Sequence, residues 1–261
     1  MKKIDSPAPF RQKIRKGLWA KPTSGLEPGY AQANLVILDR SLAFDFLLFC
    51  QRNPKPCPIL EVLEPGQTEP LRTAPGADIR TDLPLYRIWL KGQLKEEVRD
   101  IRSYFNKDLV SFLLGCSFSF EEALIGAGIP IRNIEEGKNV SMYITNRKCD
   151  PAGPFSAPLV VTMRPIRDDL VSRAVQITSR YASVHGAPIH IGHEKKIGIK
   201  DLGRPDFGDP VSILKGETPV FWACGVTSTL GALSAKADLV ITHAPGHMFI
   251  TNVNNETLAV I

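Results

Sequence analysis

Two stretches of the chain share an order of features that restricts the folds open to it. LLGCSFSFEEAL, which contains Cys116, and FWACGVTSTLGAL, which contains Cys224, each pass from apolar residues through a cysteine and hydroxyl-bearing residues into a helix-like segment. Each stretch is later followed by a near-identical pentapeptide, MYITN at 142–146 and MFITN at 248–252. We interpret the match as an internal duplication of a strand-helix-strand unit. The alternative is that such units share a composition because they pack alike.

The length and apolar content of the chain bound its fold class. A chain of 261 residues with 43% hydrophobic content can bury the core of one large domain or of two smaller ones. Buried apolar strands that alternate with helices predict an α/β fold, in which a layered α/β domain carries the duplicated unit. We expect this domain to be discontinuous, covering 1–146 and 216–261, with a smaller α+β domain inserted at 147–215.

Hydrophobic periodicity and the positions of proline and glycine predict the individual elements. Strands are predicted at 32–38, 58–66, 85–92, 108–115, 159–166, 190–199, 209–214 and 239–242. Helices are predicted at 7–19, 41–53, 96–106, 120–127 and 168–181. FWACGVTSTLGAL also passes from an apolar strand to a helix, so both cysteine turns are predicted to join a buried strand to a helix.

The charge of the chain favours a small acidic ligand over a nucleic acid. The formal net charge of +5 is modest and spread along the chain. The dense basic segment near the N-terminus comprises Lys2, Lys3, Arg11, Lys13, Arg15 and Lys16. Aromatic residues do not alternate with these charges to stack on bases, so we interpret the segment as a solvated helix face.

The cellular compartment follows from apolar runs and from cysteine usage. No stretch resembles a secretory signal or reaches the roughly 18 apolar residues of a membrane span, so we expect a cytoplasmic protein without a membrane partner. The cysteines, which are Cys50, Cys57, Cys116, Cys149 and Cys224, are odd in number and lack a CxxC pair. Reduced thiols are therefore expected. A homo-oligomer is compatible with these features.

The cysteine turns are the first candidate site. The turn between the end of a strand and the start of a helix is where α/β sheets bind ligands, and unpaired helix N–H groups favour negative charge. Cys116 and Ser117 lie at this point in the first unit, and Cys224, Gly225 and Thr227 lie there in the second. The alternative is that both cysteines are core residues, as free cysteines often are.

The segment THAPGHMF contributes two candidate histidines. His243 and His247 are four residues apart, but Pro245 and Gly246 intervene, so the spacing does not give the helical geometry of a metal site. We therefore predict neither a metal nor a cofactor. His243 ends a predicted strand and is our candidate for a general acid or base, and His247 is a candidate binding residue.

The segment GADIRTDLP contributes a candidate anion clamp. Asp78, Arg80 and Asp82 alternate, so in an extended chain they point to one side. The Arg80 guanidinium can bind a carboxylate through two hydrogen bonds, with Asp82 holding it in place. The alternative is an exposed loop that happens to carry charges.

Several long motifs resemble one known family. They include DFLLFCQRNPKPCP, ADIRTDLPLYR, GCSFSFEEAL, HGAPIHIG, PVFWACGVT and ITHAPGHM. The chain resembles the hydro-lyase family that includes D-glutamate cyclase, over about residues 29–252. The resemblance implies loss of water from a small acidic amino acid or oxo-acid, as in the conversion of D-glutamate to 5-oxo-D-proline. It assigns no catalytic residue, and Asn133, Ser228 and Thr229 depart from the family pattern.

Lactam formation sets requirements that these candidates can meet. A cation or a helix N-terminus must hold the α-carboxylate, and proton donors and acceptors must serve the amine and the departing oxygen. Arg80 fits the first role and His243 the others, whereas Cys116 and Cys224 can instead act as acid or nucleophile across a pseudo-symmetric cleft. The competing hypothesis is a non-catalytic amino-acid or oxo-acid binding protein that partners lactam-processing enzymes.

Overall fold

The computed structural model describes residues 6–260, so Lys2 and Lys3 of the basic segment lie outside the described residues. The helices are α1 (Ala8–Arg15), α2 (Arg40–Arg52), α3 (Glu121–Gly126), α4 (Arg132–Glu135), α5 (Val171–Ser179) and α6 (Val226–Ser234). The strands are β1 (Tyr30–Asp39), β2 (Ile59–Leu63), β3 (Tyr86–Leu90), β4 (Gln93–Val98), β5 (Leu109–Gly115), β6 (Ser141–Lys148), β7 (Pro158–Arg167), β8 (His190–Ile191), β9 (Glu217–Ala223), β10 (Val240–His243) and β11 (Phe249–Asn254).

The strands form two antiparallel sheets. The first sheet has the order β2-β5-β1-β10-β3-β4, with β11 also pairing with β1, and the second has the order β6-β7-β9-β8. Helices pack against these sheets, which confirms the predicted α/β class. Among the described residues, no helix combines the length and the apolar character that a bilayer crossing needs.

The interior strands β1 and β5 of the first sheet are buried on both faces. Along β1, Leu35 and Ile37 enter one hydrophobic cluster, whereas Val36 and Leu38 enter another on the opposite face. Side chains of a strand alternate between the two faces, so both sets must be apolar. This explains why the interior strands are continuous apolar runs, a pattern that is common in parallel sheets but arises here in an antiparallel one.

The helix predicted at 96–106 is wrong. This part of the chain begins inside β4, which pairs with β3 as an edge hairpin. Lys91 and Gly92 form its two-residue turn and both have positive φ, at 52° and 79°. That backbone is typical of the tight turns that join adjacent strands. The predicted strands at 190–199 and 209–214 are also largely wrong, since strand structure there is limited to β8.

The two cysteines follow equivalent positions of two three-strand ladders. In the first sheet Ala33 of β1 pairs with Gly115, the residue before Cys116. In the second sheet Val161 of β7 pairs with Ala223, the residue before Cys224.

The two pentapeptides pair with β1 and β7 in the same register. Ala33 also pairs with Phe249 of MFITN, and Val161 pairs with Tyr143 of MYITN. The chain passes between the two sheets twice. After β5 it crosses from the first sheet to β6 of the second, and after β9 it crosses back to β10 and β11 of the first. This matched pairing is what a duplication would produce, and the duplication itself stays a prediction. The division into domains also stays a prediction, and β6 and β9 extend the second sheet beyond residues 147–215.

Candidate functional site

A small cavity lies where residues of the two sheets meet. Its polar lining consists of Asn34, Cys116, Ser117, Thr162, Cys224 and His243. Its apolar lining includes Phe118, Val140, Met142, Val226 and Met248. The cavity holds about 20 Å³, which is room for roughly one water molecule. It is therefore closed in this conformation and must widen to admit a molecule as large as an amino acid.

The structure brings five of the predicted site residues together at this cavity. Cys116, Ser117, Cys224, Gly225 and His243 all line it. Each cysteine ends a strand and precedes a helical turn, as the sequence pattern predicted. The sheets are antiparallel, so this meeting arises from the crossing of the two connections and not from parallel strand ends at one sheet edge.

Both thiols are held in the protonated form. Burial raises the pKa of Cys224 to about 11 and raises the pKa of Cys116 further. The backbone N–H groups of Phe118 and Val226 act in the opposite direction on Cys116 and Cys224, respectively, and so does the positive charge of Arg164. At neutral pH the closed cavity therefore contains two proton donors, of which Cys224 loses its proton more readily.

His243 is a buried neutral imidazole. It lies where β1 changes its partner from β11 to β10, and its Nδ1 atom is 3.2 Å from the Leu35 backbone nitrogen and 3.3 Å from the Leu35 carbonyl oxygen. The neutral ring carries one proton, so one of its nitrogens donates a hydrogen bond and the other accepts. Burial lowers the pKa of His243 to about 4, so the ring stays uncharged at neutral pH. Its role as acid or base stays a prediction.

The cation behind the cavity is Arg164, which our sequence interpretation missed. Its side chain is 1% exposed, and its Nη1 and Nη2 atoms donate to the hydroxyls of Thr162 and Ser117, each across 3.1 Å. Both residues line the cavity. The sequence feature that could have identified Arg164 is its position inside the apolar strand LVVTMRPI, because a charged residue in a buried strand is rarely left without partners.

Glu121 compensates the charge of this arginine. Arg164 Nε donates to Glu121 Oε1 across 3.1 Å, and Ser24 donates to the other carboxylate oxygen across 3.2 Å. Burial raises the pKa of Glu121, while Arg164 opposes this shift. The guanidinium also lies over the rings of Phe120 and Trp222, at 5.4 and 5.7 Å from their centroids. Arg164 is therefore fixed in position before any ligand arrives.

Gly225 permits a close approach between the two sheets. A Cβ atom at this position would overlap the side-chain amide of Asn34. That amide is itself fixed, because Asn34 Nδ2 donates to the Gly115 carbonyl across 2.7 Å. The glycine is therefore needed for the turn after Cys224 to pack against β1.

Arg80 and Asp82 do not line the cavity. Arg80 donates to Asp78 in a two-residue salt bridge of 2.8 Å, and Asp82 accepts both donors of Arg15 at 2.7 Å each. Asp82 is fully buried and thereby ties α1 to the loop that carries it. The predicted extended conformation is wrong, because the N–H groups of Thr81 and Asp82 donate to the Asp78 carbonyl in a turn, and these charged side chains are already paired within the structure.

Thr227 and His247 lie beside the cavity but not in its wall. Thr227 Oγ1 accepts the Val160 N–H across 2.9 Å, which fixes the turn after Cys224 to β7. His247 Nδ1 lies 3.1 Å from the Pro245 carbonyl, and burial lowers the pKa of its ring. Within residues 6–260, no group of three histidine, cysteine or acidic side chains is placed to hold a metal ion.

Comparison with known proteins identifies the family. A family model described as D-glutamate cyclase matches residues 110–252, which is more than half of the chain. The chain belongs to the D-glutamate cyclase family. The matched range contains both cysteine turns, Arg164 and His243.

Relatives in other bacteria match along nearly their whole length. A protein named "Putative hydro-lyase" from Syntrophobacter fumaroxidans is 70% identical over 99% of both chains. A protein with the same name from Stutzerimonas stutzeri is 59% identical, covering 98% of this chain and 97% of its own. "Putative hydro-lyase YcsI" from Bacillus subtilis is 59% identical, covering 98% and 100%. Together with the family, these relatives support a hydro-lyase.

One solved structure shows only a weak likeness. The nitrogen repressor-like protein from Methanococcus jannaschii aligns with a TM-score of 0.39 at 8% identity, covering 94% of this chain and 98% of its own.

Proposed function

We propose that the protein is a carbon-oxygen lyase that removes water from a small acidic amino acid or oxo-acid, and that D-glutamate, converted to 5-oxo-D-proline, is its substrate. The observation that carries the proposal is the single cavity on which two thiols, an imidazole and two arginine-backed hydroxyls converge in a member of the D-glutamate cyclase family.

The hydroxyls of Ser117 and Thr162 are suited to bind the substrate carboxylate. Each accepts a hydrogen bond from Arg164, so each retains its own O–H as a donor. The buried positive charge behind them strengthens that donation toward an anion. In this proposal Arg164 acts through the two hydroxyls in the role that the sequence had suggested for Arg80.

Water loss then requires proton transfer from nitrogen to oxygen. The substrate amine attacks the γ-carboxyl carbon, a C–N bond forms, a C–O bond breaks, and the oxygen leaves as water. Both protons of that water come from the ammonium group, so the site has only to carry protons from the substrate nitrogen to the departing oxygen. Cys224 can give a proton to the oxygen and take one from the nitrogen, and the ring N–H of His243 can donate to the oxygen.

The cavity has to open for this reaction. Its walls contain Met142 and Met248, whose unbranched side chains adapt to new shapes more readily than branched ones. Repacking of these two side chains is the simplest way to enlarge the cavity without moving either sheet.

Proton NMR of purified protein with D-glutamate tests the proposal directly. We expect the signals of 5-oxo-D-proline to appear, and replacement of Cys224 by Ala to slow the reaction by about 100-fold or more. Cys149→Ala is the matched control, because this thiol lies outside the cavity lining. Tight binding of D-glutamate without any turnover would instead favour the non-catalytic binding protein.

A further inference from the structure

The two thiols are held by equivalent backbone contacts. Ser119, three residues after Cys116, accepts the Gln32 N–H of β1 across 3.1 Å. Thr227, three residues after Cys224, accepts the Val160 N–H of β7 across 2.9 Å.

The strand registers show that these contacts correspond. Gln32 pairs with Ile250 of MFITN, and Val160 pairs with Ile144 of MYITN. The isoleucine is the third residue of each pentapeptide, so the two accepted N–H groups occupy the same place in their ladders. Each cysteine is thus fixed by a hydroxyl three residues later to the same point of an equivalent strand.

The equivalent thiols come from different sheets and meet at one cavity. Cys116 follows a strand of the first sheet and Cys224 follows a strand of the second, and both line the cavity. Both side chains belong to one packed cluster of buried residues, together with Met142 and Met248. A molecule bound between the sheets therefore meets one thiol from each of them.

We propose that Cys116 and Cys224 form a proton-transfer pair that exchanges, and can invert, the hydrogen on the carbon next to the carboxylate of a bound amino acid. This activity goes beyond water loss. It rests on the proposed function, because it uses the same cavity and the same class of ligand.

The reaction balances without an oxidant or a cofactor. The thiolate of one cysteine takes the proton from the carbon, and the electron pair left behind delocalises into the carboxylate. The thiol of the other cysteine then returns a proton to the opposite face, so the two sulfurs exchange protonation states. Cys224 releases its proton to solvent before the first turnover and supplies the thiolate, because burial raises its pKa less than that of Cys116.

The surroundings of the pair suit the charge that develops. The Ser117 and Thr162 hydroxyls, backed by Arg164, donate toward the carboxylate on which negative charge accumulates. Arg164 and one backbone N–H group near each sulfur also favour the thiolate form. These contacts offset part of the cost of a charged sulfur in a buried cavity.

Hydrogen exchange in deuterated water tests the proposal. Both enantiomers of glutamate and of 5-oxoproline are incubated separately with the protein in D₂O at pD 8, and the Cα–H signal is followed by proton NMR. Chiral chromatography then measures inversion. We expect loss of the Cα–H signal and formation of the opposite enantiomer from at least one compound.

Variants separate the two thiols from the remaining cysteines. Cys116→Ala and Cys224→Ala should each lower the inversion rate by about 100-fold or more, and Cys116→Ser and Cys224→Ser keep the size of the side chain in case the alanine variants unfold. Cys149→Ala should leave the rate unchanged, although burial raises the pKa of that thiol to about 11 as well.

The results distinguish this proposal from the proposed function. Water loss from D-glutamate without deuterium at Cα would overturn the proton-transfer pair and leave the proposed function intact. Exchange that persists at the wild-type rate in both alanine variants would also overturn it. Absence of both reactions with all four compounds would contradict both proposals.

Discussion

Arg164 and Glu121 form an ion pair in which both side chains are almost completely buried, at 1% and 3% exposure. Replacing Arg164 by Met leaves a carboxylate without its partner in the core. We expect the free energy of unfolding to fall by about 3–5 kcal/mol, measured by urea denaturation. Arg102→Ala is the control, since its pair with Asp100 is largely exposed and should contribute much less to stability. Equal losses in the two variants would contradict the buried pairing.

Arg164→Lys separates charge from geometry. Lysine keeps the positive charge but cannot donate to Glu121, Thr162 and Ser117 at once. We expect substrate binding to weaken by about 1.5–3 kcal/mol, the contribution of hydrogen bonds to a charged group, seen as a raised KM for D-glutamate. Arg80→Ala should leave KM unchanged, because Arg80 pairs with Asp78 away from the cavity. A raised KM in Arg80→Ala alone would restore the sequence-based assignment.

Gly225→Ala tests the contact between the sheets. The added methyl group overlaps the Asn34 side chain, and we expect a loss of about 1–3 kcal/mol in the free energy of unfolding. Gly126→Ala is the matched control, because a Cβ there meets no other atom within 4 Å and alanine favours the helix. The double variant Asn34→Ala, Gly225→Ala should recover part of the stability. If Gly225→Ala is neutral, the close approach is absent.

Burial of His243 links stability to pH. Its folded-state pKa of about 4 is below the unfolded value of about 6.5, so the unfolded chain binds the proton first. The stabilisation of the folded state by neutral His243 is complete above about pH 6.5 and is lost as the pH falls toward about 4. Between pH 7 and 5 this amounts to about 2 kcal/mol. His243→Asn should reduce the pH dependence of the free energy of unfolding, measured by urea denaturation at pH 7 and pH 5, by that amount.

Thiol labelling tests where the ligand binds. At pH 7 iodoacetamide should modify the half-buried Cys149 before Cys116 and Cys224, as measured by mass spectrometry of the native protein, because those two are buried and protonated. At pH 9, 5-oxo-D-proline should slow modification of the two cavity thiols and leave Cys149 unaffected. Protection of Cys149 alone would place the ligand elsewhere.

Local sequence determined much of this protein. The apolar runs predicted β1, β5 and β7, since a strand buried on both faces is apolar at most of its positions. The cysteine turns and the two pentapeptides indicated which segments correspond. Five of the predicted site residues line one cavity, because each signal lay at the end of a strand or in the residues that directly follow it.

Only the tertiary structure decided which charges belong to the cavity and how the sheets are built. Arg80 and Arg164 are equally capable cations in the sequence, but Asp78 lies two residues from Arg80, whereas Glu121 and Ser117 reach Arg164 from more than 40 residues away. Segment 96–106 has helical periodicity, yet pairing with β3 makes its start an edge strand. Ion pairs and strand pairs join residues that are distant along the chain, so a local sequence pattern does not predict which residues pair.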